Sequence, residues 1–449
     1  TRSLLFHQTM LTLFEWRCHP VSEDNIGVWG DPWWLVLVKV IVIFCIPLFF
    51  AIFCVWFERR ILAFLQQRVG PNMAGPAGLL QPFSDGIKTI MKEDFAPDNV
   101  DKFVFTLAPM LTGLAAFTTW AVIPIGGRVS MGGHYTQLQL GDLPVAVLFI
   151  LAVASIGTYG IVLAGWASTS RYSLLGGLRS AAQMISYEVS MGLAIVCVVL
   201  VSRTMSTVGI VNHQATTLTL FGWDSPFPAH NFVLLTPAFC IYVVAMLAEA
   251  NRAPFDMPEC ESELVGGYST DYSGFRFALF YLGEYMNMTT LSAICATLFL
   301  GGFNAPWPLN NTAIDGGWWG LLWFLLKVIL FLFFFIWVRG TVPRYRYDQL
   351  MAIGWKTLLP LSIGWLVLLG IYQKARAMAD PGTWLTDDAT AIGLVLIYLA
   401  ISALVLYCQR RPVDSMLKPA ADTFNATYPL PIFKDNPAPA GKQRKEKLS

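Results

Sequence analysis

Nine apolar segments, each about as long as the hydrocarbon core of a bilayer, dominate this sequence. A helix needs about 20 mostly apolar residues to cross that core. Segments of this kind cover roughly 33–57, 103–125, 143–167, 181–201, 231–250, 275–301, 317–338, 353–372 and 389–408. The 449 residues are 55% hydrophobic and 13% charged, which is typical of a polytopic membrane protein. We therefore predict an all-α fold with about nine transmembrane helices.

These segments divide the chain into three parts. We expect 1–32 to be an outer N-terminal segment, 33–411 the transmembrane domain and 412–449 a cytoplasmic tail. The tail is rich in proline and contains the basic run KQRKEK, so we expect it to be largely disordered and to lie near anionic lipid. The first thirty residues lack the basic-then-apolar pattern of a cleaved signal peptide, and we expect none.

Lysine and arginine are distributed unevenly between the two sides of the predicted bundle. The connections 58–102, 168–180, 251–276 and 339–356, with the chain after 408, contain 22 of them, eight in the tail. The opposite connections contain six. Because cytoplasmic loops carry the excess of basic residues, we predict an outer N-terminus and a cytoplasmic C-terminus.

The stretch GLLQPFSDGIKTIMK, between the first two spans, has the periodicity of a helix with two different faces. Phe83, Ile87 and Ile90 recur at helical spacing, while Asp85 and Lys88 lie on the other side. This pattern predicts an amphipathic helix lying in the membrane interface rather than crossing it.

Seven carboxylates lie between residues 249 and 284, with apolar runs on both sides. They are Glu249, Asp256, Glu259, Glu261, Glu263, Asp271 and Glu284. A charged group at membrane depth costs about 3 kcal/mol or more, so such a cluster indicates chemistry more than packing. Pro254 and Pro258 disfavour a regular helix through the first half of 251–276.

Four acids of the predicted spans fall in the cytoplasmic half of the membrane. Glu58 and Glu249 end the first and fifth spans, and Glu188 and Glu284 lie roughly 10–12 Å deep at about 1.5 Å per residue. No cation lies within a helical turn of Glu188 or Glu284 in the sequence. Buried acids without a partner can carry protons, which is the role that we expect here. An arginine directly follows Glu58, so simple ion pairing is an equal alternative for that residue.

Other patterns limit the chemistry of the chain. The cysteines form no CxxC pair and the five histidines fall outside the spans, so we expect no iron–sulfur cluster, haem or other metal. No GxGxxG follows a strand pattern and no GxxxxGK[ST] occurs, which gives no support for bound FMN or nicotinamide. The net charge of +1 gives no support for nucleic-acid binding.

Four stretches together resemble one protein family. They are FERRILAFLQQRVGPNMAGPAGLLQPFSDGIKTIMKE (57–93), GGLRSAAQMISYEVSMG (176–192), MLAEANRAPFDMPECESELVGGYSTDYSGFRFALFYLGEYMNM (246–288) and VRGTVPRYRYDQLMAIGWKTLLPL (338–361). The chain resembles the H subunit of respiratory complex I, the proton-pumping NADH:quinone oxidoreductase. Members of that family join the membrane arm to the peripheral arm. Asp271 departs from the glutamate that many relatives have, and Gly340 from the usual alanine.

The resemblance implies a quinone substrate, ubiquinone or menaquinone, and roles for the matching residues. Glu188, Glu249 and Glu284 would form a proton-connecting chain, together with the acids of a mobile loop, which are Asp256, Glu259, Glu261, Glu263 and Asp271. The quinone cavity would be lined by Glu58, Arg59, Asp85, Lys88, Arg252, Phe255, Tyr272, Arg339, Arg344, Arg346, Asp348 and Lys356. Electrons would not pass through this chain.

The resemblance also implies partners and a location. The partners would be peripheral-arm subunits with the terminal iron–sulfur cluster and the quinone headgroup site, small membrane-arm subunits, antiporter-like subunits and lipid. The location would be the bacterial plasma membrane.

Three alternatives to this function stay open. The chain could be the homologous membrane subunit of a hydrogenase or of a quinone-reducing complex with another electron donor, a cation-coupled secondary transporter, or a purely structural scaffold.

Overall fold

The computed structural model describes residues 31–131, 133–220, 223–256, 266–310, 315–378 and 388–409. Most of the predicted N-terminal segment, three acids of the predicted loop (Glu259, Glu261 and Glu263) and the predicted tail lie outside these residues. Contacts within the chain divide it into a unit that ends at Tyr398 and a second unit from Leu399, of which only the end of the last helix is described.

The described residues are mainly helical, which confirms the predicted all-α class. The helices are α1 (Trp33–Leu65), α2 (Gln81–Ile90), α3 (Lys102–Thr119), α4 (Ala146–Ala167), α5 (Arg171–Ser202), α6 (Thr207–Gln214), α7 (Asn231–Leu234), α8 (Thr236–Glu249), α9 (Gly274–Phe299), α10 (Trp318–Thr341), α11 (Tyr347–Ala352), α12 (Leu359–Met378) and α13 (Asp388–Gln409). A π-helical segment, Ile353–Leu358, joins α11 to α12. Two antiparallel hairpins pair β1 (Gly126–Met131) with β2 (His134–Leu138) and β3 (Thr217–Leu220) with β4 (Trp223–Pro228).

Each of the nine predicted spans contains a helix, although the ends differ. Six helical stretches among the described residues are long and apolar enough to cross a membrane: α1, α3, α4, α5, α10 and the stretch Tyr347–Met378. These stretches identify a multi-pass membrane protein, whereas the count of nine crossings stays a prediction. The second span was expected to reach residue 125, but α3 ends at Thr119. Pro124 disfavours helical backbone before it, and the chain turns into β1 at Gly126.

Small residues bring the helices that surround the acids into close contact. A Cβ atom added to Gly165 of α4 would lie 3.1 Å from the Cα atom of Gly177 of α5, and one added to Gly160 would lie 2.6 Å from Thr112 of α3. Such contacts between small residues let transmembrane helices approach each other closely. Helix α5 packs in turn against α8, and α9 packs against α3, α1 and α10.

Two lysines within predicted spans have polar partners inside the fold. The Lys327 ammonium group donates hydrogen bonds to the backbone carbonyls of Leu300, Gly302 and Asn304, at 2.6, 2.8 and 2.7 Å. The Lys39 ammonium group lies 2.5 Å from the Asp31 carboxylate, and both side chains are buried. Because a buried charge is costly unless it is paired and hydrogen-bonded, these contacts explain how α1 and α10 accommodate a lysine.

Candidate functional site

A cavity lined by apolar and polar side chains lies between helices α3, α4, α5, α8 and α9. Its volume is about 60 Å³, which is room for about four water molecules at roughly 15 Å³ each. Glu249 and Glu284 both line it. Its other polar lining residues are Thr112, Thr119, Asn251, Tyr268, Asn287 and Thr290. The cavity therefore brings together two of the three acids of the predicted proton chain.

Glu249 is the most deeply buried acid of the site. It is the last residue of α8 and is 2% exposed. Its Oε2 atom has no hydrogen-bond partner among the residues that the structure describes. The Asn287 side chain of α9 donates to the backbone carbonyl of Glu249, at 3.3 Å. A buried carboxyl group with an open acceptor position can exchange protons with water held in the cavity.

Glu284 contacts a tyrosine hydroxyl and an arginine. The Tyr268 hydroxyl donates to its Oε1 atom at 2.7 Å, and Nη2 of Arg252 lies 3.7 Å from its Oε2 atom. The expectation that Glu284 lacks a cation partner is therefore wrong. Arg252 follows α8, whereas Glu284 lies in the third turn of α9, so the pairing depends on how the two helices pack.

Glu188 lies beside the cavity rather than in its lining. It is a half-buried residue of α5, and the Ser155 hydroxyl of α4 donates to its Oε1 atom. The three acids thus come from α5, α8 and α9, and two of them, Glu249 and Glu284, line the same cavity.

Glu58 joins this site through a tyrosine that sequence reasoning missed. The Tyr285 hydroxyl donates to Oε2 of Glu58 at 2.7 Å, and Arg339 of α10 forms an ion pair with Oε1 of the same carboxylate. The Tyr285 ring also lies beneath the Arg252 guanidinium group, 4.1 Å from the ring centroid. The alternative of an ion pair between Glu58 and the adjacent arginine is therefore wrong: Glu58 pairs with Arg339, and Arg59 pairs with Asp85.

Helix α2 has the amphipathic character that the sequence predicted. Its apolar residues Phe83 and Ile87 are exposed, as expected for a helix that rests against lipid. Asp85, on the other side, forms an ion pair with Arg59 and accepts a hydrogen bond from Gln81 at 3.0 Å. Lys88 is exposed in the last turn.

The first part of the predicted acidic loop is folded without regular helix, as Pro254 indicated. The Asp256 carboxylate is buried and lies 3.4 Å from Nη2 of Arg344. The Phe255 ring packs between the rings of Tyr187 and Tyr345, with centroid separations of 5.7 and 5.6 Å.

The far end of the loop is built around packed aromatic rings. Tyr272 is 5% exposed, and its ring stacks on that of Phe105, with centroids 3.9 Å apart. Burial raises the pKa of the Tyr272 hydroxyl. The preceding Asp271 is half-buried. The structure places Tyr272 in this aromatic packing, and its predicted role at the quinone cavity stays a prediction.

The last group of predicted cavity residues lies at and after the end of α10. Arg344 and Arg346 are exposed between α10 and α11, Asp348 is exposed in the first turn of α11, and Lys356 is exposed in the π-helical segment. Of this group, Arg344 contacts the acidic loop, through Asp256. These exposed side chains are available for contacts outside this chain.

Sequence reasoning missed the hydroxyl groups that connect the acids. Tyr268, Tyr285 and Ser155 each donate a hydrogen bond to a carboxylate of the site. Tyr268 and Tyr285 lie in the stretch that carries the resemblance, and polar aromatic residues close to buried acids are a signal that could have identified them. Ser155 lies 33 positions from Glu188, and nothing in its own segment marks it.

Comparisons with known proteins agree on one family. A family model described as NADH dehydrogenase matches residues 38–370. The H subunit of the NADH-quinone oxidoreductase of Cutibacterium acnes is 52% identical over 406 residues, 89% of this chain and 91% of the relative. The proteins of the same name from Frankia alni and Streptomyces avermitilis are 49% and 45% identical, and they cover 84% and 95% of this chain and 82% and 93% of their own length. The chain therefore belongs to the H-subunit family of NADH-quinone oxidoreductases and is a membrane subunit of respiratory complex I.

Proposed function

We propose that this chain forms the quinone-access cavity of the complex and the acidic chain that couples quinone reduction to proton pumping. The proposal rests on the cavity that Glu249 and Glu284 line, which is large enough to hold several water molecules. Glu188 lies beside it. Neutral hydroxyl and amide groups fill the remaining polar positions of the lining. Such a set can pass protons between acids, because each water or hydroxyl group both accepts and donates.

The proposed quinone route begins beside the Arg59–Asp85 ion pair and the exposed apolar face of α2. An isoprenoid tail suits this apolar surface, and the charged pair is half-exposed beside it. Reduction of a quinone to a quinol takes up two electrons and two protons. The electrons come from the terminal iron–sulfur cluster of one peripheral-arm protein, and a second such protein binds the headgroup.

The proposed coupling runs from the cavity mouth to the acids through ion pairs. Glu58 is linked to Arg339 and Tyr285, and Tyr285 lies under Arg252, the partner of Glu284. A change of charge near the quinone alters the electrostatic field along this series, because charges in a low-dielectric interior interact strongly. The acids then change their protonation, and protons move toward the small and antiporter-like subunits of the membrane arm.

The proposed location is the bacterial plasma membrane, with an outer N-terminus and a cytoplasmic C-terminus. The excess of lysine and arginine on one set of connections supports this orientation. The basic tail would then lie near anionic lipid of the cytoplasmic leaflet. Labelling of single cysteines placed in the two hairpins, with a reagent that does not cross membranes, tests the orientation.

Substitution of the cavity acids tests the coupling. We expect Glu284→Gln and Glu188→Gln to lower NADH:quinone reductase activity and proton uptake in inverted vesicles at least tenfold, because amide side chains cannot release a proton. NADH oxidation by an artificial acceptor, which bypasses the quinone, should stay at the wild-type rate and reports assembly. Glu93→Gln is the matched control, since its exposed carboxylate lies on a surface loop. Wild-type rate and stoichiometry in both cavity variants would refute the proposal.

A further inference from the structure

One buried amide joins the helix of Glu249 to the start of the acidic loop. Gln183 lies on α5 and has no exposed surface. Its Nε2 atom donates to two backbone carbonyls, that of Ala248 at 2.8 Å and that of Phe255 at 2.7 Å. Both distances are those of good hydrogen bonds, so both amide hydrogens are used.

The orientation of this amide is determined by its surroundings. Rotating the group by half a turn would place its oxygen against two carbonyl oxygens, and neither contact would be a hydrogen bond. The Oε1 atom, by contrast, has no hydrogen-bond partner among the described residues. The two carbonyls therefore hold the side chain, and the side chain in turn fixes the distance between the two carbonyls.

Each carbonyl belongs to the residue directly before an acid of the site. Ala248 precedes Glu249, which lines the cavity shared with Glu284, and Phe255 precedes Asp256, which pairs with Arg344. The backbone N–H of Tyr345 also donates to the carbonyl of Pro254, at 3.1 Å. The segment after α10 is thus tied to the loop, and Gln183 ties the loop to the last turn of α8.

We propose that Gln183 is a positioning residue, which transmits displacement of the loop at Asp256 to Glu249 and so sets the place of Glu249 in the cavity. The inference rests on the proposed function of Glu249 and names a residue that controls it. Gln183 acts through the two backbone segments and exchanges no proton itself. An apolar side chain of the same length would remove the side-chain donor from both carbonyls and leave that of Ala248 only the 3.3 Å bond from the Asn251 N–H, so the loop and α8 would then move independently.

The chain offers a matched control at a distance from these acids. Gln214 is also fully buried, and its Nε2 atom also donates to two backbone carbonyls, those of Thr297 and Leu298, at 3.0 and 3.1 Å. Those carbonyls lie at the far end of α9, beyond the residues that line the cavity. Gln214→Met therefore removes the same kind of donated bonds, and also the bonds that its Oε1 atom accepts from the Gly301 and Asn231 N–H groups, without touching the acidic loop or the helix of Glu249.

The test compares Gln183→Met and Gln214→Met in the whole complex. We expect Gln183→Met to lower the kcat of quinone reduction about tenfold with little change in KM, because a catalytic group misplaced by about 1 Å can lose two orders of magnitude in rate. The pH profile of kcat should move as well, since Glu249 takes a different place. Gln214→Met should keep both kcat and the pH profile and lose only thermal stability. Equal behaviour of the two variants would overturn the inference.

A double-mutant cycle with Glu249→Gln separates this inference from the function on which it rests. If Gln183 acts through Glu249, adding Gln183→Met to Glu249→Gln causes no further loss of kcat, whereas additive losses overturn the inference. A wild-type kcat of the single variant Glu249→Gln would refute the proposed function itself. Should Gln183→Met fail to assemble, Gln183→Glu keeps the length and one donor when neutral. Its kcat should then fall between those of the wild type and Glu249→Gln, and an unchanged kcat and pH profile would count against the inference.

Discussion

Tyr285→Phe tests whether the link between Glu58 and the cavity acids is needed for turnover. The substitution removes one oxygen atom and with it the 2.7 Å hydrogen bond to Glu58 and the 3.1 Å contact with the Tyr281 hydroxyl. The ring remains, so the contact with the Arg252 guanidinium group, 4.1 Å from the ring centroid, is retained. The variant therefore isolates the hydroxyl group from the packing and from the cation–π interaction.

The size of the effect follows from the kind of bond that is lost. A hydrogen bond to a charged group is worth about 1.5–3 kcal/mol. At about 1.4 kcal/mol for each factor of ten, its loss corresponds to a change of roughly 10- to 100-fold. Glu58 keeps its ion pair with Arg339, so we expect the carboxylate to stay in place but to lose its connection to Arg252 and Glu284. Quinone reductase activity should fall by at least tenfold.

The assay is NADH:quinone reduction and proton uptake in inverted vesicles, with NADH oxidation by an artificial acceptor as the measure of assembly. Tyr242→Phe is the matched control. The Tyr242 ring is fully buried, and its hydroxyl donates to a neutral group, the backbone carbonyl of Leu291, at 3.2 Å. That variant should keep its rate within about twofold, because the lost bond reaches none of the acids, and it should lose only about 1 kcal/mol of stability. A Tyr285→Phe enzyme that turns over as fast as the control would show that the coupling does not run through this hydroxyl.

Two further predictions concern the cavity mouth and the far end of the bundle. Arg59→Ala should lower quinone reduction while NADH oxidation by an artificial acceptor stays intact and thermal stability changes little, because its half-exposed ion pair with Asp85 is worth less than about 1 kcal/mol. Loss of both activities would indicate failed assembly instead. Burial and the nearby Lys327 lower the pKa of His230 from 6.5 to about 4, so between these values the unfolded chain binds a proton that the folded chain does not. Stability should therefore fall by up to about 3 kcal/mol as the pH drops from 6.5 toward 4, and thermal unfolding of His230→Gln, compared at both ends of this range, should lack that loss.

Hydropathy located the helices well because burial in lipid requires runs of apolar residues. It located their ends less well. Helix α1 continues from the predicted end at residue 57 to Leu65, and α5 begins at Arg171, ten residues before the predicted span. Charged residues such as Arg59 and Arg171 end an apolar run but are good helix formers, so the helix extends past the membrane-spanning part. Hydropathy therefore indicates which residues lie within the membrane, whereas backbone hydrogen bonding determines where the helix begins and ends.

The candidate acids could be named from the sequence, but their partners could not. The sequence offers the adjacent arginines as ion-pair partners of Glu58. In the structure Glu58 pairs with Arg339, 281 positions away. Glu284 was expected to lack a cation, and Arg252 lies 3.7 Å from it. An ion pair requires atoms within a few ångströms of each other, and distances between segments of different helices are set by packing that no local pattern encodes.

By itself, the sequence determined the class of the protein, the approximate position of its helices and the family to which it belongs. These follow from composition, from hydrophobic runs matched to bilayer thickness and from motifs that can be read along the chain. Only the tertiary structure decided that Glu249 and Glu284 share one cavity, that Tyr285 bridges Glu58 to Arg252, and that Gln183 joins two segments which each precede an acid. The physical reason is that protons and hydrogen bonds act over about 3 Å, whereas the residues concerned come together only when the helices pack.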